Sequence, residues 1–190
     1  MNAQPVSYAA RLDIDYPTEL DRLTTFFRLI WVIPIAVIQG LLTGIAWIAT
    51  ALMIAFRQRY PRWWFEYSRE LTRFGTRVGA YTALLTDRYP STVEEQAVHL
   101  ELDYPDVEHD LNRWLPLVKW LLAIPHYIVL WFVWIGAIVA VIVAWFAILF
   151  TGRFPRSLFD FVVGAFRWTL RVQAYAFLLL TDRYPPFSLR

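Results

Sequence analysis

The chain has 190 residues, no cysteine and a formal net charge of only +2. It is 58% hydrophobic with mean hydropathy +0.40, above the roughly 45–50% apolar usage of soluble domains. The excess points to lipid, disulfides and cysteine-ligated metals are excluded, and no nucleic-acid partner is expected.

In chain order, residues 1–10 read as a loose tail without the h-region and cleavage site of a signal peptide, so the first spanning helix is expected to direct insertion. RLDIDYP, Arg11 to Pro17, alternates apolar and charged positions and stops at proline, which predicts a short strand outside lipid. Thr18 is expected to cap an amphipathic helix that ends at Pro34, its acidic first turn meeting the positive end of the helix dipole. Phe26, Arg28 and Trp31 are its expected headgroup anchors. Ile35 to Phe56 carries no formal charge and predicts a membrane span, with Gly40 and Gly44 spaced for close helix approach. RQRYPR then makes a basic turn. The helix from Arg62 to Leu85 sets Glu66, Arg69, Arg73 and Arg77 on one face, too costly for a lone lipid-facing span. TDRYP, Thr86 to Pro90, closes the unit.

The pattern then restarts. HLELDYP, His99 to Pro105, matches RLDIDYP, and a helix from Asp106 to Ile124 again ends in Ile-Pro. His126 to Phe150 contains no Asp, Glu, Lys or Arg; at about 1.5 Å per residue it exceeds the roughly 30 Å hydrocarbon core, and it predicts the strongest span. TGRFPR replaces RQRYPR, Asp160, Arg167 and Arg171 stand where Glu66, Arg73 and Arg77 stood, and TDRYP recurs at Thr181 to Pro185. The chain is therefore a tandem duplication of a unit of roughly 95 residues. The expected organisation is a tail (1–10), a first repeat (11–90), a connector (91–98) and a second repeat (99–190). The expected fold is mostly α and membrane-integral, each repeat holding a short strand, an interfacial helix, one transmembrane helix and one Arg-bearing second helix.

Two copies oriented alike must each cross an even number of times, which favours four crossings with the Arg-bearing helices inward over one span per unit with those helices lying flat. The stretch from Asp87 to Asp110 holds eight acidic residues and one arginine, while the turns carrying Arg59, Arg62, Arg153 and Arg156 are basic. By the positive-inside rule those turns are expected in the cytoplasm and the termini outside.

IDYP, the Ile-Pro helix ends and VAWFAILFTGRFPRSLFDFVVGAFRWTLRVQAYAFLLLTDRYPPFSL resemble the DUF4389 family of bacterial membrane proteins, almost throughout the second unit and in degraded form in the first. The resemblance implies a bacterial inner-membrane protein and carries over no catalytic residues.

No hydrolase, metalloprotease, Walker or dinucleotide-binding motif occurs, and no enzyme activity, cofactor or metal is expected. His109 among Asp106, Glu108 and Asp110 reads as a solvated acidic helix start, and His126 as an interfacial anchor rather than a haem ligand. Asp87 with Arg88, and Asp182 with Arg183, are expected to cap helix ends and pair locally. Of the 18 basic residues only Lys119 is lysine, and arginine is the bidentate partner of phosphate and carboxylate. The candidate site is thus the duplicated face of Glu66, Arg73 and Arg77 with Asp160, Arg167 and Arg171, holding either intramembrane ion pairs or anionic phospholipid. The leading expectation is a non-catalytic accessory or scaffold subunit that contacts other membrane proteins. A lipid-handling protein comes second and a small oligomeric channel or transporter third.

Overall fold

The computed structural model describes residues 8–43, 46–92, 94 and 96–190. The chain is mostly helical with one small sheet. Its elements are β1 (Ala10–Ile14), α1 (Arg22–Thr43), α2 (Ala46–Arg57), α3 (Arg62–Thr82), β2 (Val98–Leu102), a 3-10 turn (Leu115–Leu117), α4 (Lys119–Leu122), α5 (Ile124–Thr151) and α6 (Arg156–Ala176).

The strands form where the alternation predicts, and they pair with each other. β1 and β2 run antiparallel with Leu12 opposite Leu100, Ala10 opposite Leu102 and Ile14 opposite Val98. Leu12 and Leu100 are equivalent positions of the two copies, so the pairing is reciprocal, as at a two-fold interface. The period of two buries Ala10, Leu12, Ile14, Val98, Leu100 and Leu102 and turns Arg11, Asp13, His99 and Glu101 outward. Arg11 bridges Glu101 at 3.0 Å and Asp103 at 2.8 Å, and His99 meets Asp15 at 3.0 Å.

Each strand packs on the second helix of the other copy, β1 on α6 and β2 on α3. Tyr16 donates from its hydroxyl to the carbonyl of Phe154, and Tyr104 donates to that of Tyr60. The contacts of β1 with α6 fall in reverse order. Tyr16 meets Phe159 edge-on at 4.9 Å, Arg167 donates to the Leu12 carbonyl at 2.8 Å, and Tyr8 donates to the Arg171 carbonyl at 3.2 Å. The strand therefore lies lengthwise and antiparallel on the helix.

α5 packs antiparallel on a different side of α6, through Trp168 to His126 and Phe161 beside Gly136. Its buried stripe is His126, Leu130, Ala137, Ala140, Ala144 and Ile148, with alanines permitting close approach. The opposite stripe, Ile128, Trp131, Ile135, Ile138, Ile142, Phe146 and Phe150, is exposed along the whole helix, Phe150 by 80%. α1 packs on α3 and likewise exposes Leu23, Phe26, Ile30, Ile33 and Val37. The result is three layers: a charged ribbon, then α3 and α6, then α1 and α5 with an apolar outer face.

Several boundaries differ from the sequence expectation. The first helix starts at Arg22, not after Thr18, because the Asp21 carboxylate accepts the N–H groups of Leu23 at 2.7 Å and Thr24 at 3.2 Å. It does not stop at Pro34 but runs through it to Thr43. The equivalent Pro125 lies in the first turn of α5. The copies diverge because Pro116 interrupts the second one where the first has Thr25, leaving a 3-10 turn and a four-residue α4 in place of the helix expected from Asp106 to Ile124. Of the span expected over Ile35 to Phe56, all the described residues are helical, in α1 as far as Thr43 and in α2 from Ala46, and Gly44, half of the glycine pair, lies outside the described residues. α5 alone among the described helices is long and apolar enough to cross a membrane. Of the expected tail, residues 1–7 lie outside the described residues, and Ala10 is already in β1.

Both long helix-to-loop exits use left-handed residues at equivalent positions. Gly152 (φ 75°) caps α5 where the first copy places Gln58 (φ 47°), and Leu84 (φ 63°) matches Leu179 (φ 58°). A leucine is costly there. Both are buried, and the reversal returns the N–H of Leu85 to the Ala80 carbonyl and that of Leu180 to the Ala174 carbonyl, each at 2.9 Å. Because the tyrosine contacts are reciprocal, Tyr16→Phe and Tyr104→Phe should destabilise equally, each by about 1 kcal/mol, read as a melting shift of about 2–4 °C. A shift confined to one variant would contradict the two-fold relation.

Candidate functional site

TDRYP closes each copy, and the structure explains its residues one by one. In the first copy the Asp87 carboxylate pairs with Arg28 and accepts the N–H of Asp21 at 2.6 Å. In the second, Asp182 pairs with Lys119 at 2.6 Å and accepts the N–H of Asn112 at 2.6 Å. Each cation also donates to the preceding threonine carbonyl, Arg28 to Thr86 at 2.9 Å and Lys119 to Thr181 at 2.8 Å. Each lies over an equivalent ring, Arg28 at 4.6 Å from Tyr81 and Lys119 at 5.3 Å from Tyr175. The threonine hydroxyls accept the N–H groups of Arg88 at 3.3 Å and Arg183 at 3.1 Å, closing the turn.

Arg28 and Lys119 are fully buried. Desolvation pulls the Lys119 ammonium below its ordinary range and Asp182 opposes that pull. Arg28 is thus no headgroup anchor, and Asp87 and Asp182 are partnered with cations distant in sequence, not with Arg88 and Arg183. The missed signal was available: Arg28 and Lys119 each stand six residues before the proline of Ile-Pro, the one cation inside an apolar run in each copy.

The arginine face is dispersed. Glu66 pairs back to Arg62 at 3.4 Å and Asp160 back to Arg156 at 3.2 Å, one turn earlier on their own helices. Arg73 pairs with Glu70 at 2.8 Å, and Arg77 donates to the Ser91 carbonyl at 2.5 Å. Arg167 joins Asp13 at 2.7 Å, and Arg171 donates to the carbonyls of Ser188 and Arg190. These arginines tie α3 and α6 to the connector, the ribbon and the C-terminal segment, so the structure does not gather the six residues into one seam.

The turns present a different pair. Arg59 and Arg153 occupy equivalent exposed positions, each three residues after an exposed phenylalanine, Phe56 or Phe150. Arg62 and Arg156 stack on Tyr104 at 5.8 Å and Tyr16 at 4.5 Å.

His126 is buried, not interfacial. Trp168 donates to its Nδ1 at 3.1 Å and Phe187 stacks on it at 3.9 Å. His109 is exposed, and its Nδ1 lies 3.0 Å from the Asp106 carboxylate, which raises the imidazole and lowers the carboxyl from their ordinary values. Among the described residues no group of three His, Asp or Glu is arranged to hold a metal ion.

These features define a duplicated, strand-exchanged helical protein whose repeats are each fastened by a buried cation–carboxylate latch. The family model for Domain of unknown function (DUF4389) matches twice, over residues 22–94 and 114–188, and the chain belongs to that family as a tandem pair. No curated protein and no solved structure matches the chain.

Asp182→Ala should cost about 3 kcal/mol by stranding the buried Lys119, and Lys119→Met in the same chain should restore more than half, measured by thermal or denaturant unfolding. His109 should titrate above the ordinary histidine value by NMR and return toward it in Asp106→Asn. The favourable pairing is complete between the two pKa values; it is lost as pH rises through that of His109 and as pH falls through that of Asp106.

Proposed function

We propose that this protein is a non-catalytic membrane protein serving as an accessory or scaffold subunit, with the α1/α5 face in lipid and the charged ribbon in water. One observation carries the reading: a continuous apolar face of large side chains lies on the opposite side of the molecule from outward Asp13, Asp15, Glu101 and Asp103. A soluble protein would hide such a face, and one this extensive marks a membrane or protein contact. The ribbon's acidic outer surface is what remains for a partner subunit.

The same layering bears on how the chain meets the bilayer. α5 is about 42 Å long at 1.5 Å per residue, enough to cross. Crossing upright would carry the ribbon, which runs lengthwise on α6, into hydrocarbon with its carboxylates, at about 2.5–3.5 kcal/mol for each charge near the midplane. Seating the apolar layer in one leaflet avoids that cost. We therefore favour an in-plane seat over the four crossings expected from charge and repeat symmetry.

A second reading, anionic-phospholipid handling, is favoured by the exposed Phe56/Arg59 and Phe150/Arg153 pairs, which set a guanidinium beside an apolar anchor at both ends of the layer.

The cysteine-free chain allows a direct test. Single variants Glu108→Cys and Ser157→Cys mark the two ends of α5 and should react with an impermeant maleimide from the same side of the membrane. Labelling from opposite sides would establish crossing and overturn the in-plane seat. Release of the protein from membranes by alkaline carbonate would overturn the membrane reading itself. Mild-detergent purification from the native membrane with protein mass spectrometry should recover stoichiometric partners; a chain recovered alone would remove the scaffold role.

A further inference from the structure

A cavity of ≈ 490 Å³ lies between α3 and α6, bounded by α1 through Gln39, α2 through Trp47 and Thr50, and α5 through Trp134. Its size is that of a small-ligand pocket. No ionisable side chain is among its described lining residues.

Most of its polar lining comes from the first copy, and the second adds Thr169 and Gln173. Gln39, Thr50, Ser68, Thr72 and Thr76 line it, and the equivalent positions of the second copy hold Leu130, Ala144, Val162, Phe166 and Leu170. Phe166 and Leu170 themselves form part of the opposite wall. Thr72 and Thr76 thus leave room where the same helix position elsewhere in this chain carries a large apolar group.

The hydrogen bonds set the chemistry that fits. The Thr72 hydroxyl donates to the Ser68 carbonyl at 2.7 Å and the Thr76 hydroxyl to the Thr72 carbonyl at 2.8 Å. With their protons committed to the backbone, these oxygens offer lone pairs only. Thr169 is committed in the same way, to the Ala165 carbonyl at 2.8 Å, and its oxygen already accepts from Trp134 at 2.9 Å. The Thr72–Thr76 stripe therefore presents acceptors, and a partner must bring an O–H or N–H. A cation would meet no countercharge there and an anion no cation. The aromatic walls, Trp47, Trp134 and Phe166, favour an apolar remainder.

We infer that this cavity binds the head of a neutral, hydroxyl-bearing lipid, the hydroxyl donating to the Thr72 and Thr76 oxygens and the chains leading toward the apolar layer. This rests on the membrane seat proposed above, because the ligand is drawn from the bilayer.

The test is native mass spectrometry of the full chain in mild detergent, titrated with dioleoylglycerol, trioleoylglycerol or dioleoylphosphatidylglycerol. Dioleoylglycerol should bind one-to-one, trioleoylglycerol, which lacks the hydroxyl, should bind at least about tenfold more weakly, and the anionic phosphatidylglycerol should not compete. The double variant Thr72→Phe, Thr76→Leu, which installs the second copy's own residues, should lose the ligand while melting no lower than the parent. Thr72→Val with Thr76→Val, which keeps the shape and removes the acceptors, should weaken binding about tenfold. Equal binding of di- and trioleoylglycerol, unchanged binding in the filled variant, or no dioleoylglycerol binding at all would each overturn the assignment. Should the chain still resist carbonate extraction in those cases, the membrane reading stands and only the cavity assignment falls.

Discussion

A charged side chain with no access to water is the costliest group a fold can contain, and among the described residues two stand at equivalent places. Taking an ammonium or guanidinium out of water costs several kcal/mol even after relaxation, and attraction to a carboxylate repays it only with good geometry and satisfied donors. Arg28 and Lys119 are each held by the same three groups, an aspartate, the carbonyl before it and a tyrosine ring, and only the buried Nε of Arg28 is left without a hydrogen-bond partner. The aspartate in turn holds a backbone N–H at the entry to the first helical segment of its copy. The latch joins the beginning and the end of each repeat, so the left-handed leucines that aim TDRYP at the cation belong to the same arrangement. The strain of Leu84 and Leu179 is offset by the charge they bring into contact.

The latches close each copy, and the exchanged strands join the two. A two-stranded ribbon is marginal alone in water. Here β1 and β2 gain a floor because each lies on the other copy's helix, and Tyr16 and Tyr104 reach across to the opposite turn. Arg113 completes the exchange by donating to the carbonyls of Ala55 at 2.7 Å and Phe56 at 3.2 Å, which end α2 of the first copy. Neither copy keeps its own strand. The duplicated unit therefore resembles a domain-swapped dimer whose subunits share one chain.

Much of this was legible before any coordinates. The alternation in RLDIDYP and HLELDYP marks both strands, the prolines of RYPR and RFPR set the starts of α3 and α6 at Arg62 and Arg156, and the recurrence of TDRYP gives the duplication. Local rules failed where a distant contact decided. Arg28 looks like an interfacial anchor because its partner Asp87 is far along the chain. Glu66 and Arg73 look like a pair because helical spacing shows which residues share a face, and it is silent on the earlier turn, where Arg62 captures Glu66, and on the strand that captures Arg167. Pro34 reads as a stop because a single proline usually is one, yet α1 runs through it to Thr43, while its counterpart Pro125 stands in the first turn of α5. Comparing the two copies position by position carries more information here than either read alone.

That comparison also separates what the duplication must keep from what it is able to vary. The tyrosine lids and the paired leucine strands are reciprocal, so a change in one copy loses a contact that the other copy's geometry still requires, whereas each latch is closed within its own copy and holds arginine in one and lysine in the other. The wall between α3 and α6 is under no such constraint, because the two helices meet there with different residues. Ser68, Thr72 and Thr76 share the cavity with Phe166 and Leu170, the large apolar residues that hold the positions of Thr72 and Thr76 in the second copy. Had both copies kept the large apolar residues, the space would be filled; had both turned polar, it would lack its aromatic wall. A cavity with an acceptor stripe on one side and rings on the other requires the two copies to differ, and at these positions they do.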